Sequence, residues 1–251
     1  MRHTKMEING NNYLITHPRN YSTTDLFSPE IINECFDFAY AMTFGSGGEH
    51  RNHRSGGKHR RKNGELFINT FQGKLAEYAI YTILNNNRIE CPPPDTETYA
   101  LGAWDSTDIE VSGNKINIKS SKFFANLLLL ETKDWSTNGQ YLPNIGKDGD
   151  GVYDFFIFVR IKPDGESLMK RNRLLYTNDT NESDLRGIIV SERWEYDIPG
   201  YIDREFLVRV INNRNIIPQG VLLNGRTRMD AENYYVQSGD MSNIEGLIEI
   251  L

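Results

Sequence analysis

Apolar positions along this chain recur with two different periods, and each change of period predicts an element. Ser28-Pro29-Glu30 suits a helix start, with Ser as cap, Pro in the first turn and an early acid. Ile31, Ile32, Cys35, Phe36, Ala39 and Met42 follow at helical spacing and predict a helix that ends before Gly45. A second helix is predicted over 70–84, where Leu75, Ala76, Ala79, Ile80 and Ile83 form an apolar stripe. Cys91-Pro92-Pro93-Pro94-Asp95 then reads as a rigid extended connection. From 107 the period becomes two: Asp108-Ile109-Glu110-Val111, a Gly113-Asn114 turn, then Ile116-Asn117-Ile118-Lys119, a hairpin pattern. With Gly113 and Asn114 as the loop, Val111 pairs with Ile116 and Ile109 with Ile118. The same register sets Asp108 opposite Lys119 and Glu110 opposite Asn117. Strand side chains alternate faces, so the polar four share one face and the apolar four the other. The apolar run 153–161, closed by Lys162-Pro163-Asp164-Gly165, reads as a buried central strand and a turn, and 187–190 as a further strand. Turn signals dominate the last third, at Pro199-Gly200-Tyr201, Ile217-Pro218-Gln219-Gly220 and Asn224-Gly225-Arg226.

Helices and strands in this order predict an α/β chain, and 251 residues suffice for one large domain of that class. No apolar run is long enough for a membrane span, and no apolar stretch follows the basic start as a signal peptide requires. Cys35 and Cys91 are isolated, which fits a reducing cytoplasm better than a disulfide framework or a zinc site. The net charge of −6 argues against a general polyanion binder. Charge is placed unevenly, however. The stretch 45–62 holds six Lys or Arg, three histidines, five glycines and one acid, Glu49. Its glycines predict a flexible loop, and its cations Arg51, Arg54, Lys58, Arg60 and Arg61 suit a phosphate backbone.

A carboxylate pair beside a lysine can hold a divalent metal and steady an attacked phosphate, and the polar face of the hairpin offers those groups. An Asp opening one strand, followed about ten residues later by an acid-x-Lys tripeptide on the next, resembles the PD-(D/E)XK nuclease superfamily. Thr107-Asp108 stands for the Pro-Asp, and Asn117-Ile118-Lys119 for the acid-x-Lys. Thr107 replaces the proline, and Asn117 replaces an acid with a neutral oxygen ligand. Glu77, on the flank of the apolar stripe of the preceding helix, occupies the place where many of these nucleases carry an inward Glu. Helix and hairpin together span about a fifth of the chain.

The resemblance implies a central mixed β-sheet flanked by helices, restriction-endonuclease-like. The whole of 1–251 is then one nuclease domain with a core at about 66–190, and the basic loop 45–62 and the part 191–251 are DNA-binding elaborations. It implies an Mg²⁺-dependent endonuclease cutting double-stranded DNA, most similar in size and layout to a type II restriction enzyme. A homodimer matched to a palindrome and a cognate DNA methyltransferase follow from that. The implied site has Asp108, Asn117, Glu77 and Glu110 around the metal and Lys119 at the attacking water. Lys122, Arg226 and Arg228 join the basic loop as candidate DNA contacts, since Arg reads guanine edges. Alternatives remain: a junction resolvase or repair nuclease of the same fold, or a DNA-binding protein without activity. Two further readings of the basic loop are weaker. Gly56-Gly57-Lys58 lacks the first glycine of a phosphate-binding loop, which is Asn52, and is followed by His59. His50, His53 and His59 lack the strand-turn-helix pattern and cysteine pair of an HNH-type site.

Overall fold

The fold is given by a computed structural model that describes residues 3–45, 61–96, 108–146 and 150–251. Its elements, in chain order, are β1 (Glu7–Asn9), β2 (Asn12–Leu14), β3 (Asp25–Leu26), α1 (Pro29–Thr43), α2 (Asn63–Asn86), β4 (Ile109–Val111), β5 (Asn114–Lys122), β6 (Leu127–Glu131), β7 (Phe155–Lys162), α3 (Gly165–Arg171), α4 (Glu182–Val190), β8 (Glu195–Asp203), α5 (Arg204–Asn212), β9 (Ile216–Ile217), β10 (Leu222–Leu223), β11 (Thr227–Arg228), β12 (Asn233–Gln237) and α6 (Ile244–Ile248). The architecture is mixed α/β. A five-stranded sheet runs β3-β8-β7-β5-β4, with β5 and β7 parallel and the other pairs antiparallel. Smaller sheets, β6-β12-β9 and β1-β2-β10-β11, lie beside it.

Local sequence explains the helices. Ser28 Oγ accepts from the Ile31 backbone N at 3.3 Å with Pro29 in the first turn, and α1 then buries Ile32, Cys35, Phe36, Ala39 and Met42 as its spacing requires. The second helix begins earlier than its stripe suggests, because Leu66, Phe67 and Phe71 extend the apolar face backwards. Gly64 permits that start: a Cβ there would come within 1.9 Å of the Leu174 carbonyl oxygen.

Three sequence expectations are corrected. The hairpin loop is Ser112-Gly113, both at positive φ (51° and 77°), the pairing of a tight two-residue turn. The register is therefore Ile109 with Ile116, Glu110 with Lys115 and Val111 with Asn114, two residues away from the expected one. Residues 187–190 are the end of helix α4, not a strand. Asn181 caps it by accepting from Asp184 N at 3.2 Å, and Leu185 and Ile189 are buried at helical spacing. Pro199-Gly200 lies inside β8, not in a turn. The β7–β8 register shifts there, between Phe158 and Arg160, so the proline occupies a bulge where no ladder N–H is needed. Gly200 is required because a Cβ would meet the Ser242 carbonyl oxygen at 2.3 Å.

The two faces of the central sheet pack differently. On one, Ile109, Val111, Ile116, Ile118, Ile157 and Val159 share a core with α1 and α2. On the other, Phe156 and Phe158 pack with Trp135, Tyr153, Leu128, Leu130 and Phe206 of α5. A third cluster, with Met6, Leu127, Ile217 and Tyr235, joins the small sheets. Arg160, only 1% exposed, clamps the center: Nε donates to Asp197 Oδ1 at 2.7 Å, NH1 to the carbonyls of Arg19 and Ala125, and NH2 to that of Asn20 and to Asp197 Oδ2. Among the described residues, no helix is long and apolar enough to cross a membrane.

Candidate active site

The two-residue register shift preserves the faces, because strand side chains alternate with period two. Ile116 and Ile118 face the helical layer, so Asn117 and Lys119 project to the other side, level with Phe156 and Phe158 of β7. Continuing the β4–β5 register one step places Asp108 opposite Asn117, with Lys119 one pleat further along the same face. Asp108 is tied to the strand it faces: the Ile118 backbone N donates to its Oδ2 at 2.6 Å. No hydrogen bond reaches its Oδ1 among the described residues.

Asn117 is 5% exposed, and its Oδ1 is buried without a hydrogen-bond partner. Buried polar atoms are nearly always paired, and an orphan costs roughly 1–3 kcal/mol. Nearby, Asn144 Nδ2 donates to the Tyr153 hydroxyl at 3.0 Å. Burial pushes the Tyr153 phenol well above its ordinary value, and the Asp108 charge pushes it the same way. Lys119 is half-buried and makes no hydrogen bond or ion pair among the described residues. One face thus gathers a carboxylate oxygen, an amide oxygen and an ammonium group, none of the three satisfied by described residues.

The other expected site residues lie elsewhere or are engaged. Glu77 is in the helical layer: its Oε2 is 2.6 Å from Lys74 Nζ, which also donates to the Asp95 carbonyl at 2.6 Å and sits 4.6 Å from the Phe38 ring center. Cys35 and Tyr78 of that layer feel its charge, and burial is the larger cause of raising both groups. The apolar stripe of α2 carries Glu77 toward α1, not toward the polar face of the hairpin. Glu110 shares that polar face with Asp108 but is exposed and pairs across the hairpin with Lys115, whose Nζ is 3.1 Å from Asp150 Oδ1. Among the described residues, no cluster of three or more His, Cys, Asp or Glu forms.

Among the candidate DNA contacts, Arg51, Arg54, Lys58 and Arg60 lie outside the described residues, as do Thr107 and the histidines of the basic loop. Arg61 is half-buried just before α2. Lys122 Nζ is 2.7 Å from Glu166 Oε2 and 3.7 Å from Asp164 Oδ1, so a phosphate there would compete with two carboxylates. Arg226 and Arg228 are exposed beside the Asn224-Gly225 turn, and Arg228 NH1 donates to the Gly220 carbonyl at 2.9 Å. The sheet that carries them includes an N-terminal hairpin, with β2 parallel to β10, which sequence reasoning missed. Its signal was the Asn9-Gly10 turn between short alternating runs. Tyr153 and Asn144 were missed as well, and no local pattern distinguishes them.

Comparison with protein-family models, with curated proteins and with solved structures finds no match to this chain.

Proposed function

We propose that this chain is an Mg²⁺-dependent endonuclease of double-stranded DNA, of the type II restriction kind. The observation that supports the reading is the set of unsatisfied groups on one sheet face: Asp108 Oδ1, the orphaned Asn117 Oδ1 and the unpaired Lys119 ammonium. Two hard oxygen donors side by side fit Mg²⁺, which takes one or two protein ligands and keeps several waters. When bound, the ion would neutralise charge on the scissile phosphate and lower the pKa of a coordinated water.

The chain's own residues divide the remaining work. Asp108 and Asn117 would hold the cation against β4 and β5. Lys119, one pleat away, donates to the attacking water or to a non-bridging phosphate oxygen, where negative charge grows as the phosphorus becomes pentavalent. Half-burial strengthens that contact, since field lines from the ammonium are less screened than in bulk water. Glu110 stands on the same face as Asp108, about 6–7 Å along the strand, and supplies the second negative charge from a distance. Glu77 is committed to Lys74 and acts on the fold of the helical layer. Arg226, Arg228 and the basic loop grip the duplex, and a two-fold dimer presents two such sites to a palindrome. A partner methyltransferase protects host DNA.

The neutral Asn117 favors a second reading, a DNA-binding protein without activity. Incubation with mixed plasmid and phage DNA, in Mg²⁺ or in EDTA, separates the two. Discrete bands in Mg²⁺ alone support the endonuclease. Binding that is equal in both buffers, with no cutting, supports the second reading.

A further inference from the structure

A cationic side chain with an unmet donor stands beside the same face of the sheet. Arg204 opens α5, and its Nε is buried with no hydrogen-bond partner among the described residues. A donor on a charged group costs more than a neutral one when it is left unmet. The rest of Arg204 is held. Its NH2 donates to the Asn138 carbonyl at 3.2 Å, and its backbone N to the Asp154 carbonyl at 2.9 Å. The loop that carries Asn138 is closed on itself: Gly139 N donates to the Ser136 carbonyl at 3.0 Å and Ser136 N to the Gln140 carbonyl at 2.9 Å. Gly139, at a φ of 72°, lies so near α5 that a Cβ there would be 3.1 Å from Val208 Cγ2. Loop and helix thus wall a cavity of about 420 Å³, lined by Asn138, Arg204, Glu205, Val208 and Arg209. Its one carboxylate is a weak competitor: the Glu205 side chain is 88% exposed and 3.7 Å from Arg209 NH1, a surface pair worth little.

The cavity has a fixed relation to the hairpin. Asp203 pairs with Phe155 and Phe155 with Ile116, so Arg204 leaves β8 two strand spacings, about 10 Å, from the neighbor of Asn117. Helix α5 shares its core with Phe156 and Phe158, on the face to which Asn117 and Lys119 project. Asp154 ties the two regions, since its Oδ2 accepts from Lys115 N at 2.8 Å while its carbonyl takes Arg204 N. We propose that this cavity binds one phosphate of the DNA backbone, neighboring the one at Lys119, with Arg204 Nε and the Arg209 guanidinium as its donors. The inference rests on the DNA-binding part of the reading above. The ligand chemistry is that of an oxyanion, which guanidinium donors suit. The place of the cavity beside the candidate site favors a backbone phosphate over a free one.

The test is fluorescence anisotropy with a labelled duplex in EDTA over a series of salt concentrations, on the intact chain as wild type, Arg204→Gln, Arg204→Lys and Glu205→Gln. Arg204→Gln should weaken binding about tenfold, for any sequence, as loss of a charge-assisted hydrogen bond requires. It should also flatten the slope of log affinity against log salt by about 0.9. Arg204→Lys keeps the charge but not the fork, so it should restore the slope and only part of the affinity. Glu205→Gln should tighten binding. An unchanged slope in Arg204→Gln overturns the proposal and leaves the nuclease reading standing. A flattened slope in a chain that never cuts DNA in Mg²⁺ supports the cavity and overturns the nuclease reading. Failure of wild type to bind DNA at low salt overturns both. Titration with inorganic phosphate distinguishes the sources: phosphate that binds wild type and not Arg204→Gln, with the DNA slope unchanged, makes the cavity a free-anion site and overturns the proposal. Should Arg204→Gln fail to fold, Arg209→Gln takes its place, on a side chain 49% exposed. A flattened slope there supports the proposal, and an unchanged one overturns it.

Discussion

Replacing Arg160 by Met tests whether the center of the sheet is held by charge. The methionine matches the aliphatic stem but carries none of the donors. Asp197, 3% exposed, would keep only the Ser22 backbone N at 3.1 Å. The carbonyls of Arg19, Asn20 and Ala125 would lose the guanidinium together. Breaking one side of a buried pair costs about 3–5 kcal/mol, since the partner is left charged in the interior. For a chain of this size that is a fall in Tm of roughly 6–20 °C. Calorimetric melts at pH 7.5 on wild type, Arg160→Met and Arg160→Met/Asp197→Leu give the answer. The double variant should recover part of the loss, because removing both charges leaves no unpaired ion. A deficit below about 1 kcal/mol, or a double variant no more stable than Arg160→Met, would refute the reasoning.

Three further outcomes are expected. Lys119→Ala should retain DNA binding in a gel-shift assay and lose cleavage by several orders of magnitude; wild-type turnover would remove the lysine from the site. Glu77→Gln should lower Tm, by roughly 1–3 kcal/mol of stability, because it strips the buried Lys74 of its counter-charge; Glu110→Gln should leave Tm alone and raise the Mg²⁺ concentration needed for cutting, and the opposite pairing of effects would return Glu77 to the metal. Burial holds His3 below its ordinary value, against the pull of Asp240, so its neutral form is favored by folding. That contribution is present above about pH 6.5 and is lost as pH falls through the folded value. Amide protection factors (exchange rates divided by the intrinsic rate at each pH) around residues 3–6 should therefore fall between pH 7.5 and 5.5 in wild type and not in His3→Phe.

The parts of this fold that could be read from the sequence are those fixed by neighbors in the chain. Ser28 and Pro29 mark the start of α1, and Asn117 and Lys119 fall on one face because alternation survives any register shift by two. The register itself escaped, since Ser112 takes a positive φ that a serine rarely adopts, while Gly113-Asn114 is an equally good turn on composition. The run 187–190 was too short for its period to separate strand from helix, and the Asn181 cap was the better signal. Which face of the sheet α2 covers is a long-range choice. It decides that Glu77 meets Lys74, which also donates to the Asp95 carbonyl, and not Asp108, and no spacing within the helix encodes it. The pairing of β2 with β10 joins distant segments and is silent in the sequence for the same reason.

The way this chain treats its buried polar groups separates framework from site. Gln237, fully buried, accepts from the backbone N of Thr16 and His17 and donates to the Thr4 carbonyl. Asp240 accepts from Thr4 N, Thr4 Oγ1 and His17 Nδ1, all within 2.8 Å. Arg160 uses every donor it has on protein acceptors. Such groups hold segments together and leave nothing for a ligand. Asn117 is as deeply placed, yet its oxygen is unmet, and it faces across the hairpin a carboxylate with one oxygen spare and stands one pleat from a lysine without a partner. Three independent lapses of satisfaction would be a poor way to build a sheet, but their chemistry is mutually consistent: two oxygens for a cation, one ammonium for the anion the cation accompanies. A framework role would predict that filling the gap improves the fold at no other cost. A cation-binding role predicts instead that Asn117→Leu, which removes the orphan, raises Tm while abolishing Mn²⁺ binding, the exchange of stability for function expected of a site.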